Sequence, residues 1–405
     1  MRILMLTQWF DPEPTFKGLT FARELVRLGH EVEVLTGFPN YPGGKLYDGY
    51  KVRLLQRENI DGISVLRVPL YPSHDGSALK RIGNYVSFAL SAAFMGTLLV
   101  KPADVMYVYH PPATVGFAAS VISLARRIPF VYDIQDLWPD TLAATGMLNN
   151  PSLLGLVDSG CRFIYRQAAK VVVLSPGFKE MLVTRGVPAD KIEVIYNWCD
   201  EGNIRRERED NGLSEKLGLA GRYNIVFAGT MGNAQALDAV LDAAKIINYS
   251  QPKVQFVFVG GGIDVERLKK KTAKMGLPNV VFLPRMPMQE IGSILTLADV
   301  LLVHLRDDPL FKITLPSKTQ AYMAAGRPIL MAVRGDAASL VAKAKAGLAC
   351  IPEDSQSIAA VVEQFYCMSR HELDDMGERG RRFYETELSL AVGASKFQSI
   401  FRSIV

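Results

Sequence analysis

The sequence predicts an α/β protein of two doubly wound domains, each built on a parallel sheet. Three observations carry this. Short apolar runs alternate with helical patterns along the chain, as βα units do. The 405 residues are more than one core ordinarily holds. A charge-mixed polar run, NIRRERED at 203–210, interrupts the alternation near its middle. The reading places a first domain over 1–200, a second over 201–385 and a closing segment over 386–405.

Composition narrows the function classes. Hydrophobic residues make up 49% and charged residues 21%, an ordinary globular balance. Lys and Arg total 46 against 41 acids, with no long basic run, so nucleic acid is not an expected partner. The cysteines, Cys161, Cys199, Cys350 and Cys367, form no CxxC pair, which indicates neither a zinc site nor a disulfide framework. The opening MRILMLTQWF has a short apolar run and no cleavage-like site; it reads as a buried strand rather than a signal peptide.

Residues 2–7 give that strand, QWFDPEPTFKG at 8–18 a loop, Leu19–Leu28 an amphipathic helix, and Glu31–Leu35 a second strand. Right-handed crossover makes the two strands parallel. A dinucleotide site is excluded here, since no GxGxxG follows the first strand and no acid closes the second. FPNYPGGKLYDGYKVR is too irregular for a helix, and Lys45, Lys51, Arg53 and Arg57 put positive charge near it. The uncharged run 85–100 predicts a helix of about 24 Å, short of the roughly 30 Å hydrocarbon core. It reads either as a buried helix, with Ser87 and Ser91 as a small polar face, or as a helix dipping into the cytoplasmic leaflet between basic flanks, Lys80, Arg81 and Lys101.

DVMYVY at 104–109 is a strand, and His110 stands at its carboxyl end, where open α/β sheets bind ligands. FVYDI at 130–134 is the next, ending in QDLWPD. Asp133, Asp136 and Asp140 fall within eight residues beside Trp138. Aromatic rings stack on sugar faces and carboxylates accept sugar hydroxyls. Asp136 or Asp140 serves equally as a helix N-cap, or as a base for an acceptor hydroxyl. No DxD occurs there, which argues against a dedicated metal site. Strands at 170–174 and 192–195 close the first domain, with a helix to Arg185 between them. Trp9, Trp138 and Trp198 all fall in loops expected to face one cleft.

The second domain opens with a strand at 223–228 and the turn Gly229, Thr230, Met231, Gly232 before a helix at 237–247. Such a turn can take a diphosphate on its N–H groups. FVFVGGG at 256–262 is a strand ending in glycines, Gly261 among them, where the backbone can approach a ligand or simply turn tightly. Strands at 280–283, 300–302 and 329–333 continue the alternation. Pro316, Ser317 and Lys318 lead into a helix at 319–325 that Gly326 ends; its N-terminus is a ready anion site. Residues 382–405 read as one or two helices.

TGFPNYPGGKLY, DLWPD, FAGTMGNAQALD and PSK…AYMAAGRPI resemble the retaining family-4 glycosyltransferases with the GT-B fold. Within it they resemble a bacterial surface-polysaccharide subgroup (O-antigen and capsule, fucosamine-transferase-like). The resemblance implies two Rossmann-like domains facing across a cleft, with the last helix crossing back to the first. It implies sugar transfer, hexosyl or N-acetylhexosaminyl, from a UDP-sugar to a lipid-diphosphate-linked glycan, without metal or other cofactor. The enzyme is then cytoplasmic and peripheral on the inner face of the membrane. The family's glutamate pair falls on Ile313 and Ala321, so both carboxylates are missing. Its phosphate-binding Arg and Lys fall on Thr230 and Gln235, which leaves Arg285, Lys318 and Lys312 to carry positive charge. Lys17 and Gly18 fall on the acceptor-side glycine pair, and His110 where the family often has a His near the donor sugar. The residues and the resemblance together assign Gly229, Thr230, Met231, Gln235, Gly261, Arg285, Pro316, Ser317 and Lys318 to the donor, Trp9, Lys17, Gly18 and Trp138 to the acceptor, and His110, Asp136 and Asp140 to catalysis. A nucleotide-sugar 2-epimerase, using His110 and His304, and a non-catalytic transferase-like subunit are the alternatives.

Overall fold

The computed structural model describes residues 1–73, 78–144, 147–204 and 212–405. The chain forms two compact units, Met1–Tyr196 with Leu390–Val405, and Asn197–Ser389. All but the first two residues of the 203–210 linker lie outside the described residues.

The described residues of the first unit form eight strands: β1 (Arg2–Thr7), β2 (Glu31–Gly37), β3 (Gln56–Ile60), β4 (Ile63–Val68), β5 (Val105–Tyr109), β6 (Phe130–Ile134), β7 (Lys170–Val173) and β8 (Ile192–Val194). Their order is β3-β4-β2-β1-β5-β6-β7-β8. All neighbours run parallel except β3 and β4. Central β5 and β6 are buried at every residue. A parallel strand covered on both faces needs such a continuous apolar run, which is why the sequence showed them clearly. The β3–β4 hairpin is an addition to the sequence reading. Its turn, Asp61-Gly62, has both φ values positive, at 51° and 87°, as a two-residue hairpin turn demands.

Among the described residues six helices connect these strands: α1 (Leu19–Arg27), α2 (Ala78–Leu99), α3 (Thr114–Arg126), α4 (Asp140–Ala144), α5 (Pro151–Gln167) and α6 (Pro176–Thr184). Helix α2 corrects the sequence reading. It begins seven residues earlier and runs for 22 residues, about 33 Å, so length no longer rules out a membrane crossing. Its packing does argue against one. Phe88 and Ala92 are fully buried. Ser91 donates to the Pro69 carbonyl and Ser87 accepts from the Tyr71 N–H. The two serines therefore face the domain.

The described residues of the second unit form six parallel strands: β9 (Tyr223–Thr230), β10 (Val254–Gly261), β11 (Val280–Leu283), β12 (Val300–His304), β13 (Ile329–Ala332) and β14 (Gly347–Ala349), in the order β11-β10-β9-β12-β13-β14. Helix α7 (Leu213–Lys216) precedes them, and between and after them lie α8 (Asp238–Ser250), α9 (Val265–Met275), α10 (Met288–Leu297), α11 (Pro309–Lys312), α12 (Ser317–Ala324), α13 (Asp336–Ala344), α14 (Ser355–Cys367) and α15 (Arg370–Phe383). Phe227, Phe256, Leu241, Ile247, Val362 and Phe365 centre its core. One π-helical turn, Tyr384–Leu388, precedes α16 (Leu390–Ile404), which belongs to the first unit. There Phe397 packs edge-on against Phe21 and Tyr107, each 5.3 Å away.

Candidate active site

In the first unit, the carboxyl ends of β1, β5 and β6 bring the candidate residues together. The Lys17 ammonium lies 2.5 Å from Asp133 Oδ2, both side chains are fully buried, and the Phe397 ring is 5.0 Å from the ammonium. Tyr107 and Gln135 also donate to Asp133, at 2.6 and 2.8 Å. Burial pulls the Lys17 pKa down while Asp133 pushes it up. Lys17 is therefore an internal brace of the loop at 8–18, not the surface acceptor contact that the sequence suggested. Gly18 is needed because Asp11 lies against it: a Cβ there would collide with the carboxylate, which accepts the Leu19 N–H at 2.7 Å and caps α1.

His110 is 2% exposed. Its Nδ1 accepts the Gln135 N–H at 3.4 Å, and burial lowers its pKa to about 3. The ring is neutral with its proton on Nε2, so it can donate a hydrogen bond but is a poor proton acceptor. Trp138 packs edge-on to it at 5.7 Å, and Tyr85 links Trp138 to Trp9, at 6.5 Å from each. Trp9 stacks on Tyr41 at 4.2 Å. This aromatic shelf joins two of the three tryptophans. Trp198 is buried, so the expectation that all three tryptophans face a cleft is corrected.

The two candidate carboxylates differ. Burial raises the pKa of Asp136, whose charge bears on Tyr41, Tyr85 and Tyr109. Arg185 holds Asp140 in an ion pair. Of the two, Asp136 is fit to receive an acceptor hydroxyl, and Asp140 is a clamp between α4 and the end of α6.

Two buried residues outside the sequence expectation hold these loops. Glu13 accepts the N–H groups of Phe10, Asn40 and Tyr41 at 3.1, 2.7 and 2.7 Å. It joins the DPEP loop to the FPNY loop. Arg67 donates to the carbonyls of Gly37 and Asp11 and pairs with Glu58. A lone Glu in a loop or a lone Arg in a strand gives no sequence signal of such a role.

In the second unit the ends of β9, β10 and β12 form a separate cradle. The strands pair further than expected, Gly260 opposite Gly229 and Gly261 opposite Thr230. Gly260 has φ +139°, and a Cβ there would strike the Gly229 carbonyl. The close approach of the two strand ends is thus one reason for the glycines. Met231 is a correction: its side chain is fully buried in the core, so only its backbone lies at the turn. Thr230 is exposed. Gln235 accepts the Gly232 N–H through its side chain at 3.1 Å, so it braces the turn.

Lys318 is the outstanding group of this cradle. Its ammonium lies 3.5 Å from the centre of the Phe227 ring, beside Gly229, and has no hydrogen-bond partner among the described residues. Burial lowers its pKa to about 7. Tyr322, one turn on, accepts the Ala228 N–H at 2.8 Å and fixes α12 to β9. Pro316 caps α12 and Ser317 presents an exposed side chain at its start. Arg285 is exposed and neighbours Gly261. Lys312 is paired with Asp307 at 3.3 Å. His304 donates from Nδ1 to the Gln235 carbonyl at 2.7 Å and accepts the Glu353 N–H at Nε2, so both nitrogens are engaged in structure. No cluster of three metal-ligating side chains occurs among the described residues.

Two family models match the chain. One, the glycosyl transferase 4-like domain, matches residues 19–198; the other, glycosyl transferases group 1, matches residues 211–383. The chain is 25% identical to "Putative colanic acid biosynthesis glycosyl transferase WcaI" of Escherichia coli K12, covering 92% of this chain and 93% of that one. It is 24% identical to "Probable glycosyltransferase WbjE" of Pseudomonas aeruginosa, over 76% and 77% of the two chains. The crystal structure of Anabaena HepE in complex with UDP-glucose superimposes with a TM-score of 0.71 at 17% identity, covering 100% of both chains.

Proposed function

The chain belongs to the group 1 glycosyltransferases of GT-B architecture, and from that premise we propose that it moves a sugar from a UDP-sugar to a lipid-diphosphate-linked glycan in surface-polysaccharide synthesis. The acidic leaving group makes a cation the first requirement. The Lys318 ammonium, buried beside a glycine turn with no acceptor among the described residues, is the observation that carries the donor assignment. Arg285 and the first N–H groups of α12 add to it. A uridine donor has support in the HepE likeness, and a polysaccharide product in the name of the WcaI relative.

The proposed reaction retains configuration. The acceptor oxygen bonds to the anomeric carbon as the bond to the UDP oxygen breaks, and the acceptor proton passes to the departing diphosphate. His110 donates a hydrogen bond from Nε2, and Asp136 orients the acceptor hydroxyl. Trp138 and Trp9 offer ring faces to a sugar. The cations of the chain supply the charge, so the reaction is metal-independent and chelator leaves it unchanged. The enzyme sits on the inner face of the cytoplasmic membrane. A 2-epimerase draws no support from His304, whose nitrogens are both engaged.

Calorimetry tests the donor site. UDP binds wild type, and Lys318→Ala and Arg285→Ala each weaken it by about 1.5–3 kcal/mol, the size of a hydrogen bond to a charged group. If no uridine nucleotide binds, the donor assignment falls. If nucleotide-sugar binds and no acceptor is turned over, the non-catalytic reading replaces it.

A further inference from the structure

Helix α2 carries an unpartnered apolar stripe. Leu79, Ile82, Val86, Leu90, Phe94 and Leu98 recur every three or four residues, and all are exposed, Leu79 to 81%. Helix α3, packed beside α2, exposes Phe117, Val121 and Leu124, and α5 exposes Leu153 and Leu156. Single exposed apolar side chains are ordinary, whereas a run of this length across three helices marks an interaction face. Its charge is one-sided. The three helices and the residues just past their ends carry Lys80, Arg81, Lys101, Arg126, Arg127, Arg162 and Arg166 against a single acid, Asp158. An apolar face with cationic surroundings matches an anionic bilayer surface.

Between α3 and α5 this face opens into a cavity of about 400 Å³. Phe117 and Leu156 line it and are themselves exposed, so its mouth lies on the apolar face. Trp138, which packs against His110, lines it too, so it reaches the candidate acceptor site. The lining hydroxyls look elsewhere. Thr114 donates to the Tyr85 carbonyl and Ser159 to the Gly155 carbonyl, and the Cys161 thiol is hydrogen-bonded to Tyr165. A ligand here finds apolar contact without groups asking for a hydrogen bond, and that suits a hydrocarbon chain.

We propose that the α3–α5 groove holds the hydrocarbon chain of the membrane-borne acceptor and leads its head group to Trp138 and His110. The proposal rests on the reading of a lipid-linked acceptor and adds where the lipid lies. A bilayer-held chain enters from the apolar face without crossing water.

The test uses the full chain and 12-bromododecyl phosphate, whose bromine quenches a tryptophan it touches. Quenching in wild type, lost in Trp138→Phe, is expected. Leu156→Lys adds a charge at the mouth. Gly160→Val narrows the groove, since a Cβ at Gly160 already crowds the Phe117 ring at 2.8 Å. Each weakens the probe by about tenfold, the worth of roughly two lost methylene contacts, with thermal unfolding of Leu156→Lys unchanged. Unaltered quenching in Leu156→Lys and Gly160→Val overturns the groove. Sedimentation with phosphatidylglycerol vesicles reads the membrane contact separately. Leu90→Asp with Phe94→Asp abolishes vesicle binding and leaves probe quenching intact. Wild type that ignores vesicles while quenching persists overturns the membrane reading and spares the groove.

Discussion

The Lys17 ammonium and the Asp133 carboxylate form a 2.5 Å ion pair without solvent, although 116 residues separate them. Tyr107 and Gln135 complete the carboxylate's partners. Removing one member of such a pair strands the other charge in the core, at about 3–5 kcal/mol. Lys17→Met and Asp133→Leu alone are each expected to destabilise by that order in urea unfolding. The double variant recovers a large part of it. Additive losses would show that the pair is not coupled.

Glu13 supplies a pH signature. Burial outweighs its three backbone donors and raises its pKa from 4.5 to about 7. The folded chain then holds a proton that the unfolded chain releases between those values, so stability falls as pH rises from about 4.5 to 7. Glu13→Gln, which does not titrate, removes that part of the slope. Chemical unfolding at half-unit intervals measures it, and an identical slope in the variant would refute the assignment.

His110 and Asp136 separate in pH–rate profiles. With its pKa near 3, His110 stays neutral through the working range. His110→Ala should lower kcat by about 10²-fold or more while leaving the acid limb in place. The Asp136 pKa is raised by burial, so the acid limb falls above the usual carboxylate range and vanishes in Asp136→Asn. A limb that survives Asp136→Asn and disappears with His110→Ala would reverse the two roles.

The strands were legible because parallel strands covered on both faces are continuous apolar runs, as in VMYVY and FVYDI. Loop positions follow from them, which is why His110, Asp136 and Trp138 stand out after strand ends, while Lys318 stands out at a helix N-terminus. What stayed hidden depends on partners distant in sequence. Nothing near Lys17 announces Asp133, nor does anything near Asp140 announce Arg185. Met231 gives no sign of its burial in sequence: it sits just past β9, where its N–H donates to the Gly261 carbonyl at 2.8 Å and its side chain joins the core. The Asp61-Gly62 hairpin was readable from its turn and went unread, since the flanking strand QRENI lacks clean alternation.

Lys318 makes a prediction that no surface lysine would. The folded pKa is about 7 against 10.5 for an ordinary lysine, because burial disfavours the charged ammonium, which lies over the Phe227 ring. The unfolded chain therefore binds the extra proton between pH 7 and 10.5, and stability rises with pH across that window. A bound diphosphate reverses the local balance and favours the ammonium. UDP binding above pH 7 must then take up a proton. Affinity is flat below about pH 6 and weakens towards tenfold per pH unit between 7 and 9. Calorimetry at pH 8 in two buffers of different ionisation enthalpy counts the proton. Lys318→Arg keeps its charge and flattens the profile, and Lys318→Met binds weakly at every pH. If wild type and Lys318→Arg share one slope, the titrating group is not Lys318.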